Sequence, residues 1–185
     1  MWEVMAMKKW LLGSFFTVLL TTFGLIYHLD ETNSAMAIVD DYAQYSLTIG
    51  EETLIYKNIG RSENEAQNYI NVAAETHVAT WGGKKIQDNF DGHNTHFIGH
   101  NPGVFHILKK VEIGDEILVK DEFQTVEVYQ VKQIVIVDDS GHLVDDPSRN
   151  IMQEIIGIGT TEQITLQTCL SETTNLVIMA YPFSK

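Results

Sequence analysis

The chain has 185 residues, 12 Lys plus Arg against 25 Asp plus Glu, and a formal net charge of −13. It is long enough to bury one real core, and its acidity leaves no basic stripe for phosphates, which argues against nucleic acid as a partner. Its single cysteine, Cys169, rules out an internal disulfide.

Trp10 to Leu29 carries no charge and matches the ~20 residues a spanning helix needs. Lys8 and Lys9 precede it, and Asp30 and Glu31 follow it. The positive-inside bias therefore predicts a cytoplasmic N-terminus over 1–9, a single-pass transmembrane helix over 10–29, and an extracellular remainder. A cleaved secretory signal is the rival, with Ala35-Met36-Ala37 as its cleavage site. The apolar run exceeds the ~7–15 residues of a signal core, which favours the uncleaved anchor. Residues 30 to 185 hold 10 Lys plus Arg and 24 Asp plus Glu, a net charge of −14. In the plainest reading this is a solvated acidic surface.

Residues 30–50 are polar and without a clear period, so they read as a linker to a domain spanning 51–185. Ser62-Glu63-Asn64-Glu65 fits a capping box. Behind it Ala66, Tyr69, Ile70, Ala73 and Ala74 recur at helical spacing to about Glu75. Gly82-Gly83 is expected to break the chain, and the text then turns mostly β. His96–Gly99 and Glu116–Lys120 read as short strands. Thr125 to Val137 reads as a long one whose apolar parity slips near Val131, the mark of a bulge or bend. Ser148 is the expected cap of a second short helix containing Met152, Ile155 and Ile156. A strand ending at Cys169 and a closing strand, Asn175 to Tyr181, are joined by a hairpin over Leu170 to Thr174. Many short strands, few helices and no internal repeat predict a mainly β chain, a small decorated barrel in preference to a sandwich.

Within Gln163 to Cys169, Ile164, Leu166 and Thr168 alternate with Thr165, Gln167 and Cys169, placing the cysteine on the polar face at the strand's end. Free cysteine is often inert packing, but that position favours a reagent. A thiol nucleophile needs a base, normally histidine, and donors for an oxyanion. Of seven histidines, His28 falls in the apolar segment, His77 near the first helix and His142 in an Asp-Ser-Gly-His turn. His93, His96, His100 and His106 crowd one stretch. Without a regular ligand spacing or a second cluster, a metal site is disfavoured there. His96 could equally be a solvated strand residue, and His106 falls in a single helical turn. His100 has the best setting: it follows Ile98-Gly99 and precedes the turn Asn101-Pro102-Gly103.

Phe97-Ile98-Gly99-His100-Asn101, Phe105 to Leu108 followed by Ile113-Gly114-Asp115, and Thr165-Leu166-Gln167-Thr168-Cys169 together resemble a sortase. Sortases are membrane-anchored cysteine transpeptidases of Gram-positive bacteria, and the resemblance, nearest the class A type, runs from about Leu54 to Ala180. It implies a closed eight-stranded β-barrel with one or two short helices. It also implies Cys169 as nucleophile and His100 as its proton-transfer partner. The neighbourhood of Thr168 and Asn101 would contact substrate or oxyanion. The implied partners are secreted proteins with a C-terminal sorting signal resembling Leu-Pro-x-Thr-Gly and an amine of a cell-wall precursor or pilin. No cofactor is required. Some members bind calcium in acidic loops, and Asp88 and Asp91 are the residues available for it here, although acidic loop residues are ordinarily just solvated.

One departure stands out. The family carries an arginine at the start of the strand after the cysteine, and Asn175 occupies that place. The only arginines, Arg61 and Arg149, lie elsewhere in the sequence. An asparagine amide can donate to an oxyanion but supplies neither charge nor a bidentate fork. Asn175 is therefore an adapted donor, a sign of weakened or lost activity, or a plain turn residue. The acidic domain also opposes thiolate formation at Cys169. This predicts a resting pair of thiol and neutral imidazole.

Overall fold

The computed structural model describes residues 45–61 and 64–183. The apolar 10–29 segment, most of the 30–50 lead-in, and Ser62 and Glu63 of the capping box lie outside the described residues. Among the described residues no helix is long and apolar enough to cross a membrane.

Eight strands form a closed barrel: β1 (Ser46–Ile49), β2 (Glu52–Lys57), β3 (Val78–Gly83), β4 (Asn94–Ile98), β5 (Glu116–Lys120), β6 (Val126–Asp138), β7 (Gln163–Cys169) and β8 (Thr174–Pro182). Their order around the barrel is β1-β2-β3-β4-β7-β8-β6-β5, and β5 closes onto β1. Helix α1 (Glu65–Val72) lies between β2 and β3, a 3-10 helix (Val104–Lys110) between β4 and β5, and α2 (Met152–Ile156) between β6 and β7. The closed eight-stranded barrel is thus the architecture expected from the sequence.

Alternation within the strands fills the barrel. Leu47, Leu54, Tyr56, Phe97, Ile117, Val119, Ile164, Leu166, Ile178 and Ala180 share one buried cluster. The opposite face of β8 is also covered, because Val177 and Met179 pack with Val137, Leu143, Ile151 and Ile155 around α2. With both faces buried, Leu176 to Ala180 reads as a continuous apolar run. A third cluster, Ile59, Ala66, Ile70, Ala79 and Ile98, seats α1 on the outside of β3 and β4.

Several local expectations need correction. The linker does not reach residue 50: β1 occupies 46–49, too short for its two inward residues, Leu47 and Ile49, to register as a period. Gly82 and Gly83 do not break the chain but end β3, where the β3–β4 register shifts. Gly83 has φ +65°, and a Cβ there would stand 2.1 Å from the Asn94 carbonyl oxygen, so glycine is what lets the two strands touch. Helix α1 ends at Val72, short of Glu75, with Asn64 as its N-cap in a left-handed conformation. Ser148 does not cap α2; its hydroxyl donates to Asp146, and Asn150 Oδ1 takes the Met152 N–H at 2.9 Å. The parity slip near Val131 is a real irregularity, with the β6–β8 register shifting between Val131 and Gln133.

His96 is not a solvated strand residue but fully buried. Helix α2 covers the outer face of β4 and β7, so the polar side chains there find partners inside. The Thr165 hydroxyl donates to the Ile155 carbonyl at 2.8 Å, and the Gly82 N–H donates to His96 Nδ1 at 3.1 Å. His96 Nε2 therefore carries the proton in its 3.1 Å bond to Gln167 Oε1. Burial, with Arg61 opposing charge as well, lowers the His96 pKa to about 3. Between about 3 and the ordinary value near 6.5, the unfolded chain binds a proton that the folded chain refuses. Acid therefore favours unfolding, by up to about 1.4 kcal/mol for each pH unit below about 6.5. Urea unfolding of the wild type and H96Q at pH 7, 6, 5 and 4 should show this loss only in the wild type; parallel curves would contradict it.

Candidate functional site

Strand β7 ends at Cys169, whose side chain is exposed. Strand β4 runs parallel to it from Asn94↔Gln163 to Ile98↔Gln167. Two parallel strands finish at the same rim, so the residues just beyond Ile98 emerge beside the end of β7. Contacts beyond the regular pairing hold them there. The Gly99 N–H donates to the Gln167 carbonyl at 3.4 Å, and the Thr168 hydroxyl donates to the Gly99 carbonyl at 2.7 Å. Asn101 Nδ2 donates to the Cys169 carbonyl at 2.8 Å. His100 is thus held between two residues that are each bonded to the tip of β7.

The turn that follows is tied down by backbone contacts. The Phe105 N–H donates to the His100 carbonyl at 3.0 Å, and the Val104 N–H donates to the Ala74 carbonyl at 2.8 Å. Gly103 has φ +143°, and a Cβ there would lie 2.4 Å from the Ala74 oxygen. Only glycine permits this close approach of the His100 turn to the exit of α1. The His100 ring directs Nε2 to Asn71 Oδ1 of α1 at 2.8 Å.

Asn175 stands opposite Cys169 in the β7–β8 ladder, nearly buried. Its Nδ2 donates to Asp139 Oδ1 at 3.0 Å, leaving one amide hydrogen uncommitted by that bond. Asp139 belongs to a turn in which Asp138 Oδ1 accepts the Ser140 and His142 amides at 2.8 and 2.9 Å. Those bonds, the His142 one first, hold the Asp138 carboxyl below its usual range. Neither arginine takes the family position. Arg61 stacks on Trp81 at 4.8 Å and donates to the Ile156 carbonyl, while Arg149 pairs with Glu154 at 3.5 Å.

Of the residues singled out in the sequence, Cys169, His100, Asn101, Thr168 and Asn175 come together at one rim. The Thr168 side chain is turned inward and spends its hydroxyl on Gly99. The Asn101 amide steadies the backbone of Cys169 itself. The other clustered histidines disperse: His93 bonds Gly159, His96 is buried under α2, and His106 bonds Gly103. Among the described residues no three His, Cys, Asp or Glu side chains group as a metal site. Asp88 and Asp91 accept the Phe90 and His93 amides, closing turns in their loop. Asn71 and Asp139 were not anticipated. Each is a polar residue on an exposed helix face or turn, and only tertiary contact distinguishes it.

Comparison with known proteins agrees with this geometry. A family model described as a sortase domain matches residues 48–183. The Clostridium perfringens sortase D5 transpeptidase superposes with a TM-score of 0.53 at 13% identity, over 77% of this chain and 79% of its own. Sortase C-1 of Streptococcus pneumoniae gives 0.55 at 16%, over 78% and 69%. The catalytic domain of B. anthracis SrtD gives 0.53 at 15%, over 77% and 88%. Such identities speak to the fold alone, and sortases of different types match about equally. No curated protein matches. A sortase domain model that spans most of the chain, over a closed barrel of the same fold, shows that the chain belongs to the sortase family.

Proposed function

We propose that the chain is a cysteine transpeptidase in which Cys169 and His100 share one proton across the barrel rim. The observation that supports this most is the bracketing of His100 by Gly99 and Asn101, each hydrogen-bonded to the end of β7. Those bonds hold the backbone of His100 next to that of Cys169, whose thiol is exposed, which supports a pairing of the two side chains. Such positioning is a large share of what an enzyme contributes to a group-transfer reaction.

In the first half-reaction the Cys169 sulfur attacks a backbone carbonyl of a sorting motif resembling Leu-Pro-x-Thr-Gly, and its proton passes to His100. The tetrahedral intermediate collapses, the C–N bond breaks, and His100 returns the proton to the departing amine. The product is a thioester on Cys169. In the second half an acceptor amine attacks the thioester, His100 takes its proton, and the thiol is regenerated with a new amide bond. The substrate would be a secreted protein with a C-terminal signal, and the amine would come from a cell-wall precursor or a pilin. An anchor over 10–29 would hold the domain outside the membrane, near such substrates. Calcium has no step in this scheme.

Asn175 is the side-chain donor in this reading. Asp139 holds one of its amide hydrogens, which orients the group and leaves the other free to meet the oxyanion. Neutral donors of this kind contribute about 2.7–4 kcal/mol in acyl transfer, or ~10²–10³ in rate. The missing guanidinium also favours a second reading, a membrane-tethered module that binds the signal peptide without cleaving it.

One experiment separates the two. The purified chain is incubated with a library of C-terminal signal peptides and its intact mass is measured. The transpeptidase forms an adduct on Cys169 that C169A lacks, and added glycine oligomers yield a ligated peptide. A folded, peptide-binding chain with no adduct would refute it, and adduct loss to water alone would make the chain a hydrolase. Asn175→Ala should slow adduct formation by ~10²–10³-fold; an unchanged rate in single-turnover assays would remove Asn175 from the oxyanion site. Asn175→Arg should lose activity if the amide is the adapted donor, and a gain would mark it as a handicap.

A further inference from the structure

We propose that Asn71, on helix α1, is the positioning residue of His100, fixing the ring with its proton on Nε2 and its lone pair on Nδ1. The inference rests on His100 being the proton carrier and adds the group that selects which nitrogen carries. Asn71 Oδ1 lies 2.8 Å from His100 Nε2 and also receives the Gln67 Nε2–H at 3.0 Å. An amide oxygen only accepts, so Nε2 must be the donor. A neutral imidazole has one N–H, and Nδ1 is then the nitrogen left for the thiol proton.

Two features make this contact more than a chance meeting of surface side chains. Gln67 stands four residues before Asn71, on the same face of α1. Its donated N–H favours the Asn71 amide with the oxygen toward the ring, since turning that amide over would require Gln67 to turn with it. The backbone then fixes the spacing between helix and turn. Ala74, three residues after Asn71, accepts the Val104 N–H, and Gly103 touches it at a distance no side chain would allow. Helix α1 is itself seated on β3 and β4 by Ala66 and Ile70. The chain Gln67–Asn71–His100 therefore spans from a packed helix to the rim.

The arrangement suits both halves of the reaction. When Nδ1 takes the thiol proton, the ring becomes an imidazolium with two donors, and Asn71 Oδ1 keeps its bond to Nε2–H. When Nδ1–H passes that proton to the leaving amine, the same contact holds the ring for the return step. The amide is neutral, so it steers the ring through hydrogen bonding alone.

The test uses the full-length chain labelled with ¹⁵N-histidine, with H100Q identifying the His100 resonances. Two-bond ¹H–¹⁵N correlations should show the Nε2–H tautomer in the wild type. N71L should give a mixed or reversed tautomer, with kcat for peptide cleavage down about 10²-fold and KM unchanged. N71D keeps an acceptor, so it should retain the tautomer and restore most of kcat, with the acid limb of the pH–rate profile moved upward. An Nδ1–H tautomer in the wild type, an unchanged tautomer in N71L, or a wild-type kcat in N71L would each overturn the proposal. A wild type with the Nε2–H ring but no adduct on Cys169 would instead refute the transpeptidase reading, leaving the tautomer assignment intact.

Discussion

Parallel pairing of β4 with β7 is the constraint from which the site follows. The two strands are separated in the chain by β5, β6 and α2, yet they run side by side from Asn94↔Gln163 to Ile98↔Gln167. Antiparallel pairing would have sent their ends to opposite rims; parallel pairing brings both out together. The hydrophobic effect holds the pair, with Phe97, Ile164 and Leu166 inside the barrel and α2 closing the outer face over His96 and Thr165. Cover ends beyond Gln167, and only there does a side chain of β7, that of Cys169, become exposed. Side-chain bonds from Thr168 and Asn101 then continue the pairing where the ladder stops.

How much of this was legible in the sequence depended on burial. Strands β5 to β8 declared themselves through short apolar runs, the alternation of β7 or the Val- and Ile-rich length of β6, which leave few other readings. Strands β1 and β2 did not, since four to six residues with two inward side chains each resemble any polar segment. Gly82-Gly83 looked like a break because glycine marks both turns and close strand contacts, and the sequence does not say which. His96 looked solvated for a related reason. The period of a strand gives the face but not what covers it, and here the five residues of α2, distant in sequence, supplied the cover.

The rim positions of Cys169 and His100 were readable because Cys169 ends an alternating strand and His100 follows a short apolar run into a turn, and a terminus is where a strand meets solvent. Their supporting groups were not. Asn71 and Asp139 acquire meaning only from register and helix placement, which are tertiary. The string around Cys169 carried the family resemblance together with Phe97–Asn101 and Phe105–Asp115, but the departure at Asn175 could be understood only in three dimensions. Its amide is not idle in a turn; it is bonded across to Asp139. The rim therefore combines a neutral donor with a carboxylate where a guanidinium is expected, and both arginines are spent around α2. Chemistry at such a rim must rely on placement and hydrogen bonding more than on fixed positive charge.

The juxtaposition of positions 100 and 169 is most directly measured by cross-linking. In H100C the two sulfurs would sit at the ends of neighbouring strands, and a disulfide requires Cα atoms about 4.4–6.8 Å apart. Mild oxidation should convert the variant to an intramolecular disulfide, with both thiols lost to alkylation and the mass reduced by two hydrogens. Two thiols that remain freely alkylatable in the folded, oxidised chain would contradict the account.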